Sequence, residues 1–301
     1  MNKLHKISFA CNCMLEKVKK NCEEILYLHP VDVYINNIYK INEYASYREF
    51  NNKNYEICKK IVQEFSVVKL DSYHKFVILN LILSSINRVD GYKFTDKVKN
   101  NLIVEYNRII QDVDSNENGF YDYSNDLFCK DLSIASLRMF SAGLLKVESY
   151  TGIPRSCVLS NGGRDIFSWL SLAMRSQGFN PFYEIHLDVR YAKDFTPDGW
   201  CNALRTVGEM LNVNPHIKGI TGASWFFDPQ IRRISPHLVY LRELIEKKGG
   251  RFLFNKTDPH VTELAISKSN TRRVMYESKK YTPASYFMIW LKTDILRWLN
   301  L

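Results

Sequence analysis

Residues 220–244, ITGASWFFDPQIRRISPHLVYLREL, decide how the rest of the chain is read. A hydrophobic strand pattern from Ile217 to Phe227 runs into Asp228-Pro229, and a basic turn containing Arg232 and Arg233 follows. Ser235-Pro236 then opens an amphipathic helix expected to reach Lys248 and to close at Gly249-Gly250. Strand, basic turn and helix start place backbone N–H groups and positive charge where an anion can sit. This part of the chain therefore reads as alternating strand and helix with a candidate anion site in the turn.

Outward from that stretch the alternation continues. Downstream, Arg251 to Asn255 reads as a strand, and Thr262 to Ile266 is expected to be another. Upstream, Thr196 is an expected N-cap with Pro197 at the first helical position, and Trp200, Leu204, Val207 and Leu211 recur at spacings of a helix packed on one face. Asn214-Pro215 stops it. Phe182 to Val189, FYEIHLDV, alternates and is rich in strand formers. Before Gly178 the period is helical: Met14–Leu26, Tyr55–Phe65, a helix carrying FVILNLIL behind a cap at Asp71-Ser72, Thr95–Asp112, Asp131–Ser149 and Asp165–Arg175. The expected organisation is α+β, with residues 1–178 a mainly helical region and residues 179–301 a mixed α/β sheet region.

The chain has 301 residues, 46% of them hydrophobic, enough for one large core or two ordinary ones. The longest apolar run, Phe76 to Ile86, is interrupted by Asn80 and two serines and falls short of the roughly 20 residues that span a bilayer, so no membrane span is expected. The first residues show no secretory signal pattern, and a cytoplasmic location is the default expectation. Seven cysteines, an odd number, are scattered at Cys11, Cys13, Cys22, Cys58, Cys129, Cys157 and Cys201, which argues against a secreted disulfide framework. The spacing of Cys11, Cys13 and Cys22 lacks zinc knuckles, and free thiols are expected there. A formal charge of +9 admits phosphates or nucleic acid as partners. Only Lys247-Lys248, Arg272-Arg273 and Lys279-Lys280 form neighbouring doublets, and no nucleic-acid-binding motif accompanies them, so nucleic acid is not the favoured partner. Composition leaves the oligomeric state open.

Four sets of residues carry candidate chemistry. Asp114, Asn116, Asn118, Gly119 and Asp122 follow the first nine positions of a calcium loop, but Asn125 stands where the bidentate glutamate belongs, which favours a polar turn. Ser160-Asn161-Gly162-Gly163-Arg164 precedes a helix and reads as a turn, with an anion cradle as the alternative. His186-Leu-Asp188, with His260 and Arg272 downstream, resembles the facial triad and oxoacid-binding arginine of the iron(II)/2-oxoglutarate oxygenases. That resemblance implies Fe(II) held by His186, Asp188 and His260, with 2-oxoglutarate as cosubstrate.

The fourth set gives the leading expectation. From Ile217 to Trp290 the order of elements resembles the later part of a GNAT-type acyl-CoA N-acyltransferase, in which a strand leads into a glycine-bearing turn and a helix that hold the coenzyme A pyrophosphate. Gln230-Ile-Arg232-Arg233-Ile-Ser235 occupies that place after Trp225. Because Arg233 and Ser235 stand where the family has glycine, side chains are expected to make most of the phosphate contacts. Further on, Asn270 and Tyr276-Glu277 resemble the family's ending, a strand, an Asn and a short helix before a final strand. The resemblance implies a divergent acyltransferase using acyl-CoA or another acyl thioester, free or on an acyl carrier. Cofactor contacts would come from Trp225, Gln230, Arg232, Arg233, Ser235 and Asn270, and Tyr276 would be the acid for the leaving thiolate. The candidate bases are Glu184 and Asp188 on the first strand, with His186 between them. The string Gly222-Ala-Ser-Trp-Phe-Phe-Asp-Pro229 with Ile234-Ser-Pro-His-Leu-Val-Tyr-Leu-Arg242 also resembles a group of uncharacterised bacterial proteins, which supplies no function. A non-enzymatic interaction protein using a basic surface and some of its 18 tyrosines is the remaining alternative.

Overall fold

The computed structural model describes residues 3–115, 119–153 and 163–301. It divides the chain into two compact units, Met1–Tyr150 with Leu187–Arg190, and Thr151–His186 with Tyr191–Leu301. The architecture is α+β, as expected, but the division falls after Tyr150 and not near residue 178. The calcium-loop and glycine-turn expectations rest on residues 116–118 and 160–162, which lie outside the described residues.

The first unit is built from α1 (Lys3–Lys19), α2 (Glu23–Leu28), α3 (Val31–Lys40), α4 (Tyr47–Glu64), α5 (Val67–Arg88), α6 (Asp96–Ser115) and α7 (Asp126–Ala135), followed by a hairpin of β1 (Met139–Ala142) and β2 (Leu145–Thr151). Helix α5 carries the FVILNLIL run, in which Val77, Ile78, Leu79, Leu81 and Ile82 are fully buried. A helix of that kind belongs at the centre of a core. Ile7 and Cys11 of α1, Leu102 and Tyr106 of α6, and Phe128 and Leu132 of α7 join the same cluster. Helix α5 starts at Val67, before Asp71, so Asp71 is no N-cap. Its buried carboxylate instead accepts the backbone N–H groups of Gly119 (3.1 Å) and Tyr121 (3.3 Å) and pairs with Lys75 at 2.9 Å.

The expected helix from Asp131 to Ser149 is α7 and then the hairpin. Leu137 at φ 61° ends the helix and Gly143 at φ 75° turns the hairpin, where Ala142 faces Leu145. The first four residues of β2 are all buried, so the strand lacks the period-two pattern that marks a half-exposed one.

The second unit begins with α8 (Ile166–Arg175) and β3 (Phe182–Leu187), then α9 (Pro197–Val213) and β4 (Gly219–Ser224). After α10 (Tyr240–Lys247) come β5 (Arg251–Lys256), α11 (Pro259–Ile266), α12 (Asn270–Glu277), β6 (Ser285–Leu291) and α13 (Lys292–Leu299). Within this unit the strand order is β3, β4, β6, β5. Strands β3 and β4 are parallel, and β6 is antiparallel to both β4 and β5. Helix α9 is as expected: the Thr196 hydroxyl accepts from Gly199 N–H at 3.1 Å, Pro197 follows, and Trp200, Leu204, Val207 and Leu211 are buried. The expected strand at Thr262–Ile266 is helix α11, because Asp258 caps Val261 N–H at 2.7 Å with Pro259 in the first turn. One face of the sheet holds Phe182, Leu253, Ile289 and Leu291 packed with Ile153 and Leu172 of α8. Among the described residues no helix is long and apolar enough to cross a membrane.

Candidate functional site

Strands β3 and β4 pair only at Tyr183 with Ile220 and Glu184 with Thr221. Gly222 lies against Ile185, since a Cβ there would meet the Ile185 side chain at 2.8 Å. The C-terminal ends of parallel strands are where open α/β sheets place ligands. Glu184 and His186 alternate with buried Tyr183 and Ile185, so they share a face at this end of β3. Their donor atoms lie within 4.8 Å of each other. The Glu184 carboxylate accepts a hydrogen bond from the Thr151 hydroxyl at 3.1 Å. Opposite Glu184, the Thr221 hydroxyl is buried and finds no hydrogen-bond partner among the described residues. A carboxylate beside an imidazole can accept a proton from an incoming nucleophile.

The basic turn differs from the expected phosphate cradle. Residues 231–234 form a single helical turn, and Pro236–Leu238 form a separate tight turn before α10, so no long helix starts at Ser235-Pro236. The turn's own amides are already committed. Gln230 N–H donates to Asp228 Oδ1 (2.9 Å), Ile231 N–H to Asp228 O (3.0 Å), Arg233 and Ile234 N–H to Gln230 O (2.9 and 3.1 Å), and Ser235 N–H to Ile231 O (2.9 Å). The side chains are committed too. Gln230 donates to Thr282 O at 3.2 Å, Arg233 to Lys280 O at 2.8 Å, and Arg232 pairs with Glu246 at 2.8 Å. The arginines and glutamine thus fasten the turn to neighbouring chain segments.

That fastening gathers a second constellation. Trp225, just past the end of β4, lies under the Arg272 guanidinium at 4.6 Å, and Arg272 Nη1 donates to the Ser235 hydroxyl at 3.2 Å. Arg272 Nε donates to Ala265 O. The segment held by Gln230 and Arg233 carries Tyr281, which is buried beside Asp228 and Arg272. Burial lowers the Arg272 pKa, opposed by Tyr281. Burial raises the Asp228 carboxyl despite the N–H groups of Gln230 and Ala284 that it accepts. Burial, then Asp228, raise the Tyr281 phenol, with Arg272 opposing. Sequence patterns gave Tyr281 no marking, because a tyrosine in a loop carries no period and its neighbours are distant in the chain.

Asn270 begins α12, two residues before Arg272, and Tyr276 lies 40% exposed on the same helix. Asp188 is held in a buried ring of alternating charges inside the first unit. Lys146 donates to Glu105 (2.6 Å), Glu105 accepts from Arg108 (3.0 Å), Arg108 pairs with Asp131, Asp131 with Arg190 (2.9 Å), and Arg190 with Asp188 (2.8 Å), while Asp188 lies 3.7 Å from Lys146. Burial alone would raise the Asp188 pKa, but Arg190 and then Lys146 bring it down to about 2. A carboxylate so held is a poor base. It is also a poor metal ligand, with two cations already on it. His260 is exposed in the first turn of α11, and neither it nor Asp188 belongs to a group of metal-capable side chains among the described residues. The structure lends no support to the iron arrangement.

No protein family's sequence profile matches the chain, and no curated protein matches it. Among solved structures, an acyltransferase in complex with decanoyl-CoA is similar at 13% identity and a TM-score of 0.46, over 72% of this chain and 65% of that one. The chain therefore spans less than two thirds of that protein's length.

Proposed function

We propose that the second unit is a divergent GNAT-like N-acyltransferase, transferring an acyl group from acyl-CoA or another acyl thioester to an amine at the end of β3 and β4. The observation that carries this reading is the Glu184–His186 pair, with donor atoms within 4.8 Å, toward the C-terminal end of β3 beside parallel β4. The ending agrees only in part: Asn270 opens short α12 with Tyr276-Glu277 and β6 follows, while helix α11 stands where the resemblance puts the preceding strand. In this reaction Glu184 and His186 take the proton of the acceptor amine as its nitrogen attacks the thioester carbonyl. The tetrahedral intermediate then expels the thiolate, which is protonated to the free thiol, by Tyr276 if the family resemblance extends to that residue. Asp188 has no part in the step, because its proton affinity is too low.

The test is transfer of radiolabelled acyl groups from a panel of acyl-CoA thioesters to amines, together with calorimetric binding of the thioesters. Glu184→Gln and His186→Ala are each expected to lower kcat by roughly 10²–10⁴-fold while thioester affinity stays within a few-fold. Absence of thioester binding to the folded protein would sink the proposal.

A further inference from the structure

Helix α8 carries two apolar faces, where packing on one core needs a single stripe. Its inner face is spent: Leu172 is buried in the cluster on the sheet, and Trp169 stacks on Phe179 with ring centroids 4.0 Å apart. Ile166, Phe167, Leu170 and Met174 fall on a different arc, about 100° wide at 3.6 residues per turn. All four are exposed, Phe167 at 82% and Met174 at 73%. Basic side chains flank that arc at both ends. Arg164 is exposed just before the helix, Arg175 lies in its last turn, and Lys218 Nζ donates to Gln177 O at 2.6 Å just beyond it. Arg175 and Arg297 share Asp294, whose carboxylate is buried, and Asp165 is half-buried. The bias extends to the whole second unit, which holds 20 of the 41 Lys and Arg but only 12 of the 32 Asp and Glu, so it carries +8 of the chain's +9.

We propose that the outer face of α8 docks on the surface of a bilayer bearing anionic lipids, with Phe167, Leu170 and Met174 entering the boundary between headgroups and acyl chains. A helix lying in that plane buries its apolar side chains just below the phosphates, where arginine and lysine at its rim meet negative charge. Leu172 and Trp169 already hold the helix to its own unit, so the outer side chains are presented without any opening of the core. A second copy fits this face less well. Four side chains offer roughly half of the ~800 Å² per partner that a stable protein–protein interface buries. Pairing would also bring two units of charge +8 together. The docking is peripheral, without a span, and is independent of the acyl-transfer reading.

The experiment measures co-sedimentation of the whole chain with vesicles of phosphatidylcholine alone and of equal parts phosphatidylcholine and phosphatidylglycerol. Saturable binding to the mixed vesicles, at least about tenfold stronger than to phosphatidylcholine and weakened by added salt, is expected. The double variant Phe167→Ser with Met174→Ser changes only exposed side chains, so its Tm should match the parent while vesicle binding falls about tenfold or more. Arg164→Gln should weaken binding about fivefold, the usual effect of one basic residue at an anionic surface. Val274→Ser removes an exposed apolar side chain elsewhere in the same unit and should bind as the parent does. Three results would overturn the proposal. The parent does not bind the mixed vesicles; the double variant binds them as well as the parent, or Val274→Ser loses as much, which leaves general charge or stickiness as the cause; or sedimentation velocity shows a parent dimer that the double variant splits, which gives the face to a second copy.

Discussion

At the scale of single residues, the clearest energetic statement concerns the charge ring of the first unit. Lys146 is fully buried, and burial lowers its pKa even though Glu105 and Asp188 oppose that shift. Lys146→Met should destabilise the protein by about 3–5 kcal/mol, because it leaves Glu105 and Asp188 short of a counter-charge, and urea denaturation would measure it. Asp188 gives a pH signature. Its folded pKa of about 2 lies below the ordinary value of 3.8, so its stabilisation is complete above the ordinary value and is lost as pH falls through the folded one. That contribution is about 2 kcal/mol. Asp188→Asn should flatten this acid limb in a stability profile between about pH 4 and pH 2; an unchanged limb would show that the ring does not hold the carboxylate as described. Residue types alone had put Asp188 with His186 as chemistry, since H-x-D is visible in a string and a ring closed by Glu105, Arg108 and Asp131 is not. Gln230, Arg232 and Arg233 were legible as polar and basic, but the carbonyls and carboxylate that engage them come from residues 14 to 52 positions away.

At the scale of elements, local signals succeeded where the determinants are local. Helix α9 follows from a cap, a proline and a one-sided apolar stripe, all within its own residues. Thr196→Ala should cost about 1 kcal/mol in thermal or chemical unfolding, the usual loss when a side-chain cap is removed. A null effect would mean that Gly199 N–H finds another acceptor. Helix α11 carried the same kind of signal in Asp258-Pro259, and there Thr262 to Ile266, ending in Leu264-Ala-Ile266, hid it by imitating a short strand. The β1–β2 hairpin was hidden by burial. With both faces of β2 covered and Lys146 turned inward toward Glu105, the apolar spacing imitates a helix and the strand period is absent.

At the scale of the whole molecule, all five tryptophans, Trp169, Trp200, Trp225, Trp290 and Trp298, belong to the second unit. Tryptophan fluorescence therefore reports that unit, while far-UV dichroism reports the helices of both. In Lys146→Met the dichroism transition should move to lower urea, with the fluorescence transition moving less. Equal displacement of both would identify one cooperative block. The α+β class, helix α9 and the chain order of β3, β4 and β5 were determined by the sequence itself, because caps, prolines and apolar periods act on neighbours a few residues apart. Which strands pair, which charges close the buried ring, and the meeting of Trp225, Ser235, Arg272 and Tyr281 were decided only by tertiary structure. Those contacts join residues far apart in the chain, and their free energy comes from burial and charge compensation that no local pattern encodes.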